Sequence, residues 1–405
     1  MLDVPQRKSH KDLTAIRRRI SVMVIAWIAL VLGVAVLFLA AWIVVPAPTY
    51  FLLTFGVGAP EVSPWIALGA VAAAALSLHG VRDSNIARIA GVAALIALVL
   101  AAIPLTRFSS TARQFNTLMK PMSAEPKSPA RRSPFSLGDF VAGIDSGDAT
   151  IIRDVEFARP GGISLTLDIY QPKSAGRHPV LVQIYGGRWQ NGKPSDDANF
   201  ARLMAAHGWV VFAIDYRHAP MFRWNAILAD VDSSLVWIRD HAAKYSGDTA
   251  RVALLGRSAG GHLALMAAYR NPAVRIRGVV SYYGPIDLVG AYMNPPNPDP
   301  LRIKPIEEMF IGGALAERTN EYQAASPITY AKQALPPTLL VYGARDHIVE
   351  AKYGARLHDA LAAAGTRTAY LEIPWAEHAF DAVFNGLSSQ LAMYHVERFL
   401  TWAVM

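Results

Sequence analysis

Apolar residues run almost unbroken through positions 20–45, a stretch of about 26 residues. That length is enough to cross the hydrocarbon core of a bilayer with some tilt. Two shorter runs follow at 65–78 and 89–105, of about 14 and 17 residues. The first run is longer than the apolar part of a cleavable signal, and no small-x-small cleavage pattern follows it. The pattern predicts a membrane region over residues 1–108, with three helices near 20–45, 64–80 and 87–105.

The period changes farther along. Residues 109–145 hold Ser, Pro, Ala and Arg without sustained periodicity and read as a linker or juxtamembrane arm, with a short helix over 135–144. Residues 151–157 and 163–170 alternate like a hairpin around Pro160-Gly161-Gly162. Short continuous apolar runs then occur at 180–185, 210–214, 252–255, 279–282 and 338–342, with a further extended run at 369–373. Strands of a parallel sheet read this way because both faces are covered. Helical patterns lie between them, at 199–207, 226–245, 261–270, 351–364 and 387–404. The alternation predicts one α/β domain over 146–405. The interval 284–337 breaks the rhythm with Pro295, Pro296, Pro298, Pro300 and Pro305. It reads equally as a cap over a pocket and as a long surface excursion.

Charge adds an orientation. Arg7, Lys8, Lys11 and Arg17 to Arg19 precede the first run, the loop 46–64 carries no Lys or Arg, and Arg82 and Arg88 follow the second run. Cytoplasmic loops collect such residues, so three crossings place the remainder of the chain outside. Arg107, Arg113, Lys120, Lys127, Arg131 and Arg132 oppose that direction, although long domains translocate largely regardless of charge. The net charge of +8 is uneven. Residues 1–135 hold 14 Lys+Arg against 5 Asp+Glu, and the rest hold 25 against 26. The basicity flanks the apolar runs, where it meets anionic headgroups. No basic-aromatic stripe for nucleic acid remains. Cysteine is absent, which excludes disulfides, thiolate metal sites and a cysteine nucleophile.

The candidate chemistry centres on Gly256-Arg257-Ser258-Ala259-Gly260. It lies between a strand-like run and a small-residue helix, the setting of a nucleophile elbow. A serine hydroxyl needs a base within hydrogen-bond reach and a group that orients the base. Asp346 lies just past the run 338–342, and His378 just past 369–373. Ligands collect at that edge of an open parallel sheet. Asp287 and Asp381 stand as alternative acids. His347 reads as a solvated loop residue, His262 as a packing or capping residue, and Glu377 as a solvated neighbour of His378. Developing oxyanion charge needs backbone donors, which Ala259 and the Gly186-Gly187 turn would provide.

Leu167-Asp168-Ile169-Tyr170-Gln171-Pro172, Gly186-Gly187-x-Trp189, Asp215-Tyr216-Arg217, the Ser258 elbow, Asp346-x-x-Val349 and His378-Ala379-Phe380 follow one another in this order. From residue 151 onward the chain thereby resembles a bacterial esterase/lipase of the α/β-hydrolase superfamily. It is similar to the hormone-sensitive-lipase-like and feruloyl-esterase-like carboxylesterases. The resemblance implies a mostly parallel sheet flanked by helices and a triad of Ser258, Asp346 and His378. It also implies an oxyanion hole from Gly186, Gly187 and Ala259, and no metal or organic cofactor. Asp215, Tyr216 and Arg217 resemble a structural knot. Tyr185 stands where the family usually has His, and Arg188 where it often has Gly.

The expectation is a membrane-anchored serine hydrolase of carboxylic esters that works through an acyl-enzyme. Its partners would be a small-molecule or lipid ester and membrane lipids, with no nucleic acid. Its place would be the bacterial inner membrane, with the catalytic domain on the outer side. The same triad would also serve a peptidase or an acyltransferase. A binding or scaffold protein that kept the fold without turnover is the third reading.

Overall fold

The computed structural model describes residues 10–126, 130–270, 274–332 and 335–405. Arg7, Lys8 and Lys127 lie outside the described residues. The chain forms two compact units, one of residues up to 46 with 54–108, the other of 47–53 with 109–405.

The first unit is helical. Its elements are α1 (His10–Ala41), most of α2 (Tyr50–Glu61), α3 (Ser63–Leu78) and the first part of α4 (Asn85–Met119). By length and composition α1 and α4 can each cross a membrane, and α2 with α3 would make a third span that is bent by 83°. Residues 46–64, expected as a loop, are therefore mostly helix. Tyr50 to Phe55 contain nothing that stops a helix. Pro60 within α2 and Pro64 in the first turn of α3 then remove N–H donors from the ladder, which bends at that point. Ala40, Ala70, Ala97 and Ala101 are fully buried in the core of this unit beside Val36, Ile43 and Ile66. Small residues at these positions let helix backbones approach closely.

The second unit is built on an eight-stranded sheet. Its strands are β1 (Thr150–Ala158), β2 (Leu165–Gln171), β3 (His178–Ile184), β4 (Val210–Ile214), β5 (Gly247–Arg257), β6 (Ile276–Tyr282), β7 (Thr338–Gly343) and β8 (Thr368–Ile373). They lie in the order β1-β2-β4-β3-β5-β6-β7-β8. β1, β2 and β4 pair antiparallel, and every pairing from β4 through β8 is parallel. All residues of β4 and β7 are buried, as a sheet covered on both faces requires. α6 (Ala198–Ala206), α7 (Trp224–His241), α8 (Ala259–Tyr269), α12 (Ala351–Ala363) and α13 (Leu387–Ala403) pack against it. The proline-rich interval folds into three short helices at Leu288–Met293, Ile303–Ile311 and Thr319–Ala324.

The segment expected as a linker is largely structured. α4 runs on to Met119, past the predicted end near residue 105. Thr111, Phe115, Met119 and Met122 are buried, a spacing of three to four that Ser- and Arg-rich composition conceals. The Phe115 ring meets His395 of α13 edge-on, with centroids 5.6 Å apart. Farther on, buried Arg131 donates its backbone N–H to Glu397 at 3.2 Å and its guanidinium to Gln390 at 2.5 Å and Asp139 at 2.9 Å. The short helix α5 (Leu137–Ala142) begins where the Ser136 hydroxyl accepts the Asp139 N–H.

Candidate active site

β5 ends at Arg257 and α8 begins at Ala259, so Ser258 alone makes the turn between them. Its φ of 51° and ψ of −122° are strained for any residue with a Cβ. The flanking glycines make this turn possible. A Cβ on Gly256 would meet the Gly260 carbonyl oxygen at 2.0 Å, and one on Gly260 would meet the Ile184 oxygen at 2.1 Å. The Ser258 N–H donates to the Tyr282 carbonyl at 2.9 Å, which ties the turn to β6.

The parallel register brings the loops after β7 and β8 to the same edge. His378 Nε2 lies 3.0 Å from Ser258 Oγ, and His378 Nδ1 lies 2.7 Å from Asp346 Oδ2. A carboxylate only accepts, so Nδ1 carries the proton and Nε2 is left to accept from the serine hydroxyl. The other Asp346 oxygen accepts the N–H groups of Ile348 and Val349 at 2.8 and 2.7 Å. Asp346 is thus held on both oxygens and aimed at one ring. The two alternative acids are engaged elsewhere. Asp287 accepts the Gly290 N–H and pairs with Arg356 at 3.0 Å, while Asp381 binds Arg257 and Tyr283.

Glu377 is not a solvated neighbour of His378. It is buried, and it accepts the N–H groups of His347 and His378 at 2.7 and 3.0 Å. Its other oxygen lies 2.5 Å from His347 Nδ1. His347 is likewise half-buried rather than solvated, and the Glu377 hydrogen bond raises its pKa above the usual histidine value. His262 is fully buried and bridges two segments. Its Nε2 lies 2.7 Å from the Ala325 oxygen, and its Nδ1 accepts from Trp189 at 3.3 Å. Burial lowers its pKa to about 4.

Two further residues of the site, Arg257 and Tyr283, were given no role in it by the sequence reading. Arg257 is buried between Asp197 and Asp381, under the rings of Phe200 and Tyr282. Asp381 lies three residues past His378, so this pair anchors the histidine loop to the residue beside Ser258. Tyr283 donates to Asp381, and its ring packs against His378 with centroids 4.5 Å apart. The signal in the sequence was an arginine closing an otherwise apolar strand. Ser258 lines a pocket that is partly open to solvent. Ala259, Arg188, Trp189, Ile348 and Val349 line it on one side, and Ile286, Leu301, Ile303, Ile306 and Glu307 of the proline-rich interval on another.

Residues 167–361 match the family model BD-FAE. Esterase LipQ of Mycobacterium tuberculosis is 30% identical over 294 residues, which cover 69% of each chain. Esterase LipC of the same organism is 30% identical over 233 residues, 53% of this chain and 57% of LipC. The chain belongs to the α/β-hydrolase esterases. Solved structures show the same fold. An esterase from the archaeon Pyrobaculum calidifontis aligns with a TM-score of 0.55 at 21% identity, covering 74% of this chain and 94% of that one. A propionate-bound esterase from Thermogutta terrifontis aligns at 0.52 and 23%, covering 64% and 96%.

In this esterase Tyr185 braces the segment that leads into the Gly186-Gly187 turn. Its hydroxyl donates to Asp215 at 2.5 Å and accepts from His218 Nε2 at 2.9 Å. Its ring stacks on Tyr216 at 4.4 Å. Arg217 grips Asp230 through its backbone N–H and its guanidinium. The Asp215-Tyr216-Arg217 segment therefore supports the loop and does not reach Ser258. Gly187 has φ 124°, and a Cβ there would meet the Asn191 oxygen at 2.0 Å. A Cβ on Gly186 would lie 3.3 Å from that of Ser258, so the turn passes directly beside the nucleophile candidate.

Proposed function

We propose that the esterase cleaves carboxylic esters through an acyl-enzyme on Ser258. His378 takes the hydroxyl proton as Ser258 attacks the carbonyl. Asp346 holds the ring in the required tautomer and supports the imidazolium. The alcohol leaves with the proton from His378, and water then frees the acid by the reverse sequence. Ala259 opens α8, so its N–H has no carbonyl within the helix. Together with the Gly186 and Gly187 amides it forms the oxyanion hole. The observation that carries this reading is the unbroken chain Ser258 Oγ, His378, Asp346, with links of 3.0 and 2.7 Å.

The test is hydrolysis of p-nitrophenyl esters of graded length by the purified protein, with labelling by a fluorophosphonate. Hydrolysis and labelling should both vanish in Ser258→Ala. Undiminished hydrolysis in that variant would move the chemistry to another residue.

The proposal extends to the membrane. Residues 1–108 would anchor the catalytic domain, 146–405, to the inner membrane with that domain outside. The charges flanking α1 support this side. Arg131, which opposes it in the sequence, is buried in ion and hydrogen-bond contacts and acts as part of the folded domain. Because the chain has no cysteine, Lys173→Cys on the exposed surface gives a clean probe. An impermeant maleimide should label it in intact spheroplasts, and labelling only after lysis would reverse the orientation.

A further inference from the structure

The helix Ile303–Ile311, α10 of the fold, buries Ile303, Ile306, Glu307, Phe310 and Ile311. This is the spacing of one apolar helix face, with a carboxyl at a hydrocarbon position. Glu307 is 2% exposed and lines the cavity that contains Ser258. Its Oε2 has no hydrogen-bond partner among the described residues. The nearby acids are occupied. Glu308 accepts from the Tyr292 hydroxyl at 2.6 Å, Asp299 accepts the Ile303 N–H at 3.0 Å, and Asp287 pairs with Arg356. A leucine at position 307 would complete the face without an unpaired polar atom. A buried group left without a partner is explained when a ligand completes it.

Burial, aided by the charges of Asp287 and Asp299, raises the pKa of Glu307 well above the usual carboxylate range. Burial of this kind favours the neutral acid, which has one O–H to donate. Ile286, Leu301, Ile303, Ile306 and Pro296 line the same cavity, together with Arg188, Asp287, Asn294 and Glu350. Asp287 is already paired with Arg356 and Glu350 with Lys352, so a cation entering the cavity would lose its hydration for one new ion pair, at Glu307, an exchange that gains little. An uncharged oxygen loses far less and gives the acid an acceptor.

We propose that Glu307 is a specificity-determining residue that donates a hydrogen bond to an oxygen on the body of the substrate. The preferred esters are then largely apolar chains that carry a hydroxyl, ether or ketone oxygen beyond the scissile carbonyl. This rests on the reading that ester cleavage takes place at Ser258.

The test compares p-nitrophenyl hexanoate with chains in which one methylene is replaced by oxygen at each position in turn. In the wild type the best-placed oxygen should raise kcat/KM about tenfold over the plain ester, the order expected when a buried donor gains its acceptor. The ratio should fall to near one in Glu307→Leu and be largely kept in Glu307→Gln, whose amide still donates. Comparing variants on one substrate set cancels the intrinsic reactivity of each ester, and melting curves verify folding. An unchanged ratio in Glu307→Leu overturns the proposal, as does a wild type that favours no oxygen position. A preference for quaternary-ammonium esters that Glu307→Gln abolishes also overturns it. Binding of the corresponding amides to Ser258→Ala, followed by calorimetry, separates the two readings. Absent turnover with a kept binding preference defeats only the esterase mechanism at Ser258. Uniform binding across the series defeats only the role of Glu307.

Discussion

The Glu377 carboxyl lies 2.5 Å from the His347 ring and ties the loop carrying Asp346 to the loop carrying His378. The Glu377 hydrogen bond raises the His347 pKa. A raised folded-state pKa adds stability that is complete below the ordinary histidine value and is lost as pH climbs through the raised one. The melting-temperature gap between wild type and His347→Ala should therefore be widest near about pH 5 and shrink above about pH 7. A gap that widens with pH would show that the pair is not charged as assigned. Since the pair positions both loops, Glu377→Gln should lower kcat more than it changes KM, although Glu377 does not touch the substrate cavity.

The Ser258 turn makes a second, sharper claim about strain. At φ 51° and ψ −122° a Cβ is a liability and a glycine is not. Both Ser258→Ala and Ser258→Gly should abolish hydrolysis, yet the glycine variant should be the more stable by about 1 kcal/mol. Urea midpoints of the two inactive proteins decide it. Equal midpoints would mean that the turn relaxes once the hydroxyl is gone.

Tyr185→Phe removes one oxygen and leaves Asp215 and His218 without their shared partner. The loss should cost about 1–2 kcal/mol of stability. The Gly186-Gly187 turn loses its brace, so kcat should fall about tenfold, the scale of a loosened oxyanion donor. Tyr185→His, the residue the family usually carries, should recover part of that rate. A Tyr185→Phe enzyme with unchanged kcat would assign the turn's rigidity to the ring stack with Tyr216 alone.

Ser258, Asp346 and His378 were legible in the sequence for one physical reason. Each follows a continuous apolar run, and a parallel sheet brings the ends of such runs to one edge. What was not legible depends on distant partners. Glu377 binds His347, 30 residues away, and Arg257 binds Asp381, 124 residues away. Nothing in local periodicity distinguishes such a carboxylate from a solvated one. The bend between α2 and α3 escaped because apolar composition reports burial in lipid or protein and says little about helix direction. Only Pro60 and Pro64 marked it. The Glu307 position carries a local signal that the prolines around it mask: a nine-residue amphipathic helix with a charge on its apolar face.

The stretch preceding the sheet gives the last prediction. Arg131 is buried and shared among Asp139, Gln390 and the Arg398 hydrogen bond to its own carbonyl, and Arg398 also pairs with Glu125 at 2.9 Å. Phe115 covers His395, whose pKa burial lowers to about 3. A fragment that starts at residue 146 lacks all of these contacts. It would expose His395 and strip Gln390 and Arg398 of the partners they have in residues 109–145. A fragment of residues 109–405 should therefore melt well above one of 146–405. Arg131→Ala in the longer fragment should remove about 1.5–3 kcal/mol, the range for hydrogen bonds to a charged group. Its kcat/KM on a soluble ester should change little, because α13 carries no group that reaches Ser258. Identical melting of the two fragments would show that the arm is a passive tether, as its composition first suggests, and that the catalytic domain is complete without it.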